Sequence, residues 1–142
     1  MRTWLLLGFC PALAACATLQ YAETNVYPEP IADKALVYFY RVSKFTGSGL
    51  QFRIHDGEKR IGAVGNRSYF YYLAEPGEHR FWSTTEARDE LIITLEPNET
   101  YYTSVEARWG AFVGRPRLTV EHQLEGVSRV KQLRYGTGKV ED

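Results

Sequence analysis

Ala35-Leu36-Val37-Tyr38-Phe39-Tyr40 is the run around which the rest of the chain is organised. A short, unbroken apolar run of aliphatic, β-branched and aromatic residues suits a strand buried on both faces. Outward from it the period is two. Leu50, Phe52 and Ile54 alternate with Gln51, Arg53 and His55, as in a half-buried strand. Asp56-Gly57 follows, read as the two central residues of a tight hairpin turn with positive φ at both. Lys59 to Val64 is the partner strand, and Gly65-Asn66 turns the chain into Ser68-Tyr69-Phe70-Tyr71-Tyr72-Leu73. Pro76-Gly77 makes the next turn and His79 to Thr84 returns. Leu91, Ile93 and Leu95 share one face of the next strand, and Pro97-Asn98 leads into Tyr101-Thr103-Val105-Ala107-Trp109. Leu118 and Val120 form the last clear strand.

About 7–8 short strands punctuated by turns predict an all-β protein, an antiparallel β-sandwich of the immunoglobulin or transthyretin kind. Leu124, Val127, Val130 and Leu133 recur every third residue, which admits a short C-terminal helix laid on the sheet. Residues 35–135 are read as the sandwich domain and 136–142 as a frayed tail. Hydrophobic residues make up 44% and aromatic residues 14% of the chain, enough for one core and too much for disorder. The formal net charge is zero, and no basic stripe offers a surface to nucleic acid.

The start of the chain has a separate logic. Arg2, the apolar run Trp4 to Leu13, and the small residues Ala14 and Ala15 before Cys16 have the layout of a secretory signal. The run is about 10 residues, short of the ~20 that span a bilayer as a helix. Leu13-Ala14-Ala15-Cys16 resembles the lipobox of bacterial lipoprotein precursors. That resemblance implies removal of residues 1–15 and a diacylglycerol thioether on Cys16, with acyl chains holding the molecule on a membrane. Ala17 is not the aspartate that resembles an inner-membrane retention signal, which favours the outer membrane and its periplasmic face. Cys10 would leave with the signal and Cys16 would be consumed by lipid, so the domain has no thiol for a disulfide and must stand on its core. Residues 17–34, with Tyr27-Pro28-Glu29-Pro30, read as an extended tether holding the domain tens of ångströms from the bilayer. The runner-up packs Val26 to Ile31 as an edge strand.

A second resemblance runs through the domain itself. Ala35 to Arg41, Lys44-Phe45-Thr46-Gly47-Ser48, Ile61-Gly62, Ser68-Tyr69-Phe70, Glu75-Pro76-Gly77-Glu78-His79, Thr85-Glu86-Ala87, Tyr101-Tyr102 and Phe112-Val113-Gly114-Arg115-Pro116 resemble, in that order, a family of bacterial lipoproteins known only as a domain of unknown function. Val42 departs from it, where the family pattern has proline. The proline-glycine turn and its tyrosines also resemble PEGA and transthyretin-like sandwich modules. The family implies a fold and a location and no activity.

Catalytic readings find little support. His55, His79 and His122 fall on three separate predicted strands without metal-ligand spacing, so no metal site is expected. His55 is expected to face solvent, and His79 to be bonded locally after its turn. Ser48, in Gly47-Ser48-Gly49, lacks the strand-to-helix elbow of a nucleophile. No phosphate-cradling glycine motif occurs, and no cofactor and no enzyme activity are expected.

Binding features number two. The loops Phe45-Thr46-Gly47-Ser48-Gly49 and Phe112-Val113-Gly114-Arg115-Pro116, the latter after Trp109, each set an aromatic beside glycine. Phe45, Gly47, Trp109, Phe112, Gly114 and Arg115 are therefore the candidate binding residues, although the plainer expectation has Phe45 and Phe112 capping the two ends of the core. Arg53, Arg80, Arg88, Arg108, Arg115 and Arg117 could serve carboxylates or sugar rings. Their plainer role is solvated faces balanced by Glu78, Glu86, Asp89 and Glu106. The expected function is that of a non-catalytic, lipid-anchored envelope module. It would dock a protein partner by a strand edge or the glycine loops, or alternatively bind a glycan or peptidoglycan, with an envelope hydrolase as the last alternative.

Overall fold

A computed structural model describes residues 19–45 and 47–140. The signal segment 1–15, Cys16 and Thr46 lie outside the described residues. The order is β1 (Leu19–Tyr21), β2 (Ala35–Arg41), β3 (Phe52–Asp56), β4 (Lys59–Val64), β5 (Ser68–Ala74), β6 (Gly77–Thr84), β7 (Arg88–Leu95), β8 (Thr100–Arg108), β9 (Arg115–Glu121), α1 (Gln123–Val130) and β10 (Arg134–Val140). The strands form a six-stranded sheet, β1-β10-β5-β2-β8-β9, and a four-stranded sheet, β4-β3-β6-β7.

Every residue of β2 is buried, because the strand lies between two apolar layers. Ala35, Val37 and Phe39 face the four-stranded sheet, where they meet Phe52, Ile54, Val64 and Phe81. Phe39 stacks on Phe70 at 5.2 Å and meets Phe81 of the other sheet edge-on at 5.0 Å. Such ring pairs add about 0.5–1.5 kcal/mol each beyond their buried area. Leu36, Tyr38 and Tyr40 face the opposite way, into a layer closed by Val130 of α1 and by Leu133. Tyr38 stacks flat on Tyr102 there, at 5.1 Å. Gly126 of α1 lies so close to Tyr102 that a side-chain carbon would overlap the ring.

The all-β sandwich and the short helix are as expected, with two more strands than the sequence suggested. The pairing is not wholly antiparallel. β2 runs parallel to β8, and β10 parallel to β5. The doubly buried β2 is where a parallel neighbour belongs, since parallel strands read as continuous apolar runs. The Asp56-Gly57 turn is displaced by one residue: Asp56 pairs with Lys59, and Gly57, with φ of 57°, takes the first central position. Positive φ at that position alone matches a II′ turn, which asks for glycine there.

Both ends differ from the reading of 17–34 as a free tether and 136–142 as a frayed tail. Leu19–Tyr21 pairs with β10, which runs from Arg134 to Val140. Val26 to Ile31 is not a strand, and it is not free either. The Tyr69 hydroxyl accepts from Val26 N at 3.1 Å and donates to Val26 O at 2.9 Å, while Tyr27 stacks on the Tyr69 ring. Asn25 donates to Leu133 O and accepts from Tyr135 N. Prolines stiffened this segment, but side chains of the sheet's outer layer captured it.

Candidate functional site

Two loops meet at one end of the sandwich, the β2–β3 connection, which crosses between the sheets, and the β8–β9 hairpin loop. Their glycines share a floor. The Cβ positions of Gly47 and Gly114 lie 3.2 and 2.8 Å from Leu50 Cδ1, and 2.9 and 3.4 Å from Ala107 Cβ. Gly47 also has φ of 69°, a conformation that glycine adopts without steric cost. The loops therefore close over Leu50 and Ala107 only because neither glycine has a side chain.

Each loop is pinned from below by one charged residue. Arg41, 2% exposed at the end of β2, donates to Gly47 O at 2.6 Å and Leu50 O at 2.7 Å, with its guanidinium 5.1 Å from the Phe52 ring centre. Burial lowers its pKa, yet an arginine stays charged in a protein. The other pin is Glu86, in the β6–β7 turn. One carboxylate oxygen accepts from Ala111 N at 2.7 Å and Arg115 Nε at 3.1 Å, and the other from Phe112 N at 3.0 Å and Val113 N at 3.4 Å. These donors hold the carboxyl below its ordinary pKa. The Phe112 N–H does most, partial desolvation opposes it, and the Arg115, Val113 and Ala111 donors add to it. Gly110 lies against that carboxylate so closely that any side chain would collide with it. Thr85 Oγ1 completes the brace by donating to Gly114 O at 2.7 Å.

What the braced loops display is aromatic. Phe45 is 97% exposed, Trp109 85% and Phe112 95%. Together with Gly47, Gly114 and Val113 they line an open pocket of about 500 Å³. The expectation that Phe45 and Phe112 cap the core ends is therefore corrected: Leu50 and Ala107 do the capping, and the two rings point outward. Five of the six candidate residues come together in this pocket. Arg115 does not line it, because its guanidinium is spent on Glu86. Sequence reasoning missed the roles of Glu86, Arg41 and Thr85. Its signal for them was the order in which Arg41 and Thr85-Glu86-Ala87 recur in the family pattern.

The other arginines are mostly paired. Arg80 and Arg88 share Glu90, and Arg117 lies 3.8 Å from Asp89. The histidines serve structure. His79 bonds Asp56 Oδ2 and Glu75 O, each at 2.7 Å. His55 is not turned to solvent as expected: it stacks on Trp82 at 4.0 Å, and its pKa is lowered by burial first and then by Arg60. His122 is not on a strand but caps the N-terminus of α1. Among the described residues no three His, Cys, Asp or Glu side chains gather as a metal-holding group, and no helix is long and apolar enough to cross a membrane.

The edge strands β7 and β9 are partly covered within the fold. β7 lies against β9, and Asp89 Oδ2 of β7 accepts from Leu118 N of β9 at 2.7 Å. An edge N–H already satisfied within the fold is not offered to a partner.

The chain is thus a β-sandwich with a pair of braced, aromatic-bearing loops at one end. Residues 31–116 match the family described as protein of unknown function DUF2846, and the chain belongs to that family. No curated protein and no solved structure matches it.

Proposed function

We propose that the protein is a non-catalytic interaction module of the bacterial envelope, held there by lipid on Cys16, which works through the aromatic loop end. The observation behind this is the near-complete exposure of Phe45, Trp109 and Phe112 on loops that Glu86 and Arg41 pin. Exposed apolar clusters of this kind mark contact sites, and bracing lowers the entropy lost on docking. The lining favours an apolar surface over a glycan, since sugar rings call for several convergent polar groups. Arg115 is already engaged by Glu86, which leaves Arg108 as the arginine of the pocket lining.

The lipobox resemblance at Leu13-Ala14-Ala15-Cys16 supports the anchor. Intact mass of the protein extracted from membranes tests it, with an acylated N-terminal cysteine expected and release of a Cys16→Ser variant from the membrane. An unmodified cytosolic chain would overturn the reading. The contact surface is tested by alanines at 45, 109 and 112, which should leave thermal stability intact and abolish the cross-links, to lipid or to protein, that the parent forms through this end. Unchanged cross-links would refute it.

A further inference from the structure

We infer that the aromatic loop end docks on the lipid bilayer itself, as a second, non-covalent foot beside the acyl anchor. This rests on the reading of Cys16 above and goes further by naming what Phe45, Trp109 and Phe112 touch.

The segment 22–34 is fastened to the domain through Asn25, Val26 and Tyr27, and β1 begins at Leu19. Only three peptide units separate Leu19 from Cys16, a reach of about 11 Å at most. A lipidated Cys16 sits at the membrane interface, so the body of the domain must lie against the bilayer, not stand off from it. The side presented is the one near β1. The Cβ position of Gly65 lies 2.9 Å from the Tyr21 hydroxyl, 3.2 Å from Leu19 Cδ2 and 3.9 Å from Gln51 Cγ. Gln51 is the neighbour of Leu50, whose side chain is the floor beneath Gly47 and Gly114. Leu19 and Tyr21 thus lie against the β4–β5 turn, whose Asn66 Oδ1 accepts from Lys44 N, next to Phe45, at 3.0 Å.

The chemistry of the loop end suits the same occupant. Tryptophan and phenylalanine partition into the interfacial zone of a bilayer, and Lys44 and Arg108 beside them can reach headgroups with their long side chains. Lys44 is paired with Glu106 and Arg115 with Glu86, so the local charge nearly balances. Docking should therefore depend on the rings more than on anionic lipid.

The test uses the native protein reconstituted in phosphatidylethanolamine–phosphatidylglycerol vesicles, some with brominated acyl chains. Bromine is expected to quench most of the Trp109 emission, and acrylamide to lose its access to Trp109. A Trp109→Phe variant should retain only the unquenched background. Serines at 45 and 112 should return Trp109 to acrylamide. Should Trp109 stay open to acrylamide and untouched by bromine in a protein whose mass shows acylated Cys16, the docking inference fails while the anchor stands. An unacylated protein that does not enter vesicles would sink the anchor. Shielding that arises only with native membranes, and never with pure lipid, would identify a protein occupant and overturn the inference.

Discussion

Arg41→Met is the substitution that most sharply probes the architecture. Methionine keeps much of the aliphatic volume over Phe52 but leaves Gly47 O and Leu50 O without their donor. Hydrogen bonds from a charged group are worth about 1.5–3 kcal/mol each, and abandoned buried acceptors cost a similar amount. Relief from burying a guanidinium offsets part of this, so a net loss of about 2–4 kcal/mol is expected. With a urea slope of about 2 kcal/mol per molar for a domain of this size, the unfolding midpoint should fall by about 1–2 M. Circular dichroism in urea reads that midpoint, and chymotrypsin cleavage near Phe45 reports the freed loop. Arg41→Lys should fall between, because one ammonium replaces a fork spanning two carbonyls. A midpoint for Arg41→Met equal to or above the parent's would refute the claim that Arg41 holds the loop.

Further expectations concern the other loop, the helix and the tyrosine layer. Gly110→Ala should displace Glu86 and raise protease cleavage within 109–113, with little change in the global melting temperature. Gly126→Ala should destabilise by about 1–3 kcal/mol in urea, since overpacking against Tyr102 outweighs the helix propensity gained. The order that Glu86 confers on the Ala111–Val113 amides is complete above the carboxyl's ordinary value of 4.5 and is lost as pH falls through its lower folded value. Amide exchange against pH reads this, and Glu86→Gln should remove the acid transition. Tyr38 and Tyr40 are raised to about 12, with burial the largest cause. Their contribution to stability is full below the ordinary value of 10 and declines as pH rises toward about 12, so ultraviolet titration should show them ionising late or with unfolding.

Much of this fold was legible because local signals and tertiary contacts agree. The run from Ala35 to Tyr40 reads as a doubly buried strand and is one, and Leu124, Val127 and Val130 mark a helix that packs on Tyr102. Parallel pairing of β2 with β8 was not legible, since no turn between neighbours announces a strand that returns after a whole sheet. Leu19–Tyr21 was read as tether because a three-residue strand has no period, and only β10 gives it a partner. At the loop end, the aromatics and glycines were visible as residue types. Their exposure was not, because burial of Phe45 or Phe112 depends on whether Leu50 and Ala107 already fill the space. Glu86 was hidden for a different reason: three of its four donors are backbone amides, whose convergence depends on the fold.

On this reading Phe112 and its neighbours meet the bilayer that holds the acyl chains. A photoreactive phenylalanine at position 112, activated in the cells that make the protein, tests it most directly. Adducts with phospholipid are the predicted result, and a discrete protein adduct, or none at all, would contradict it.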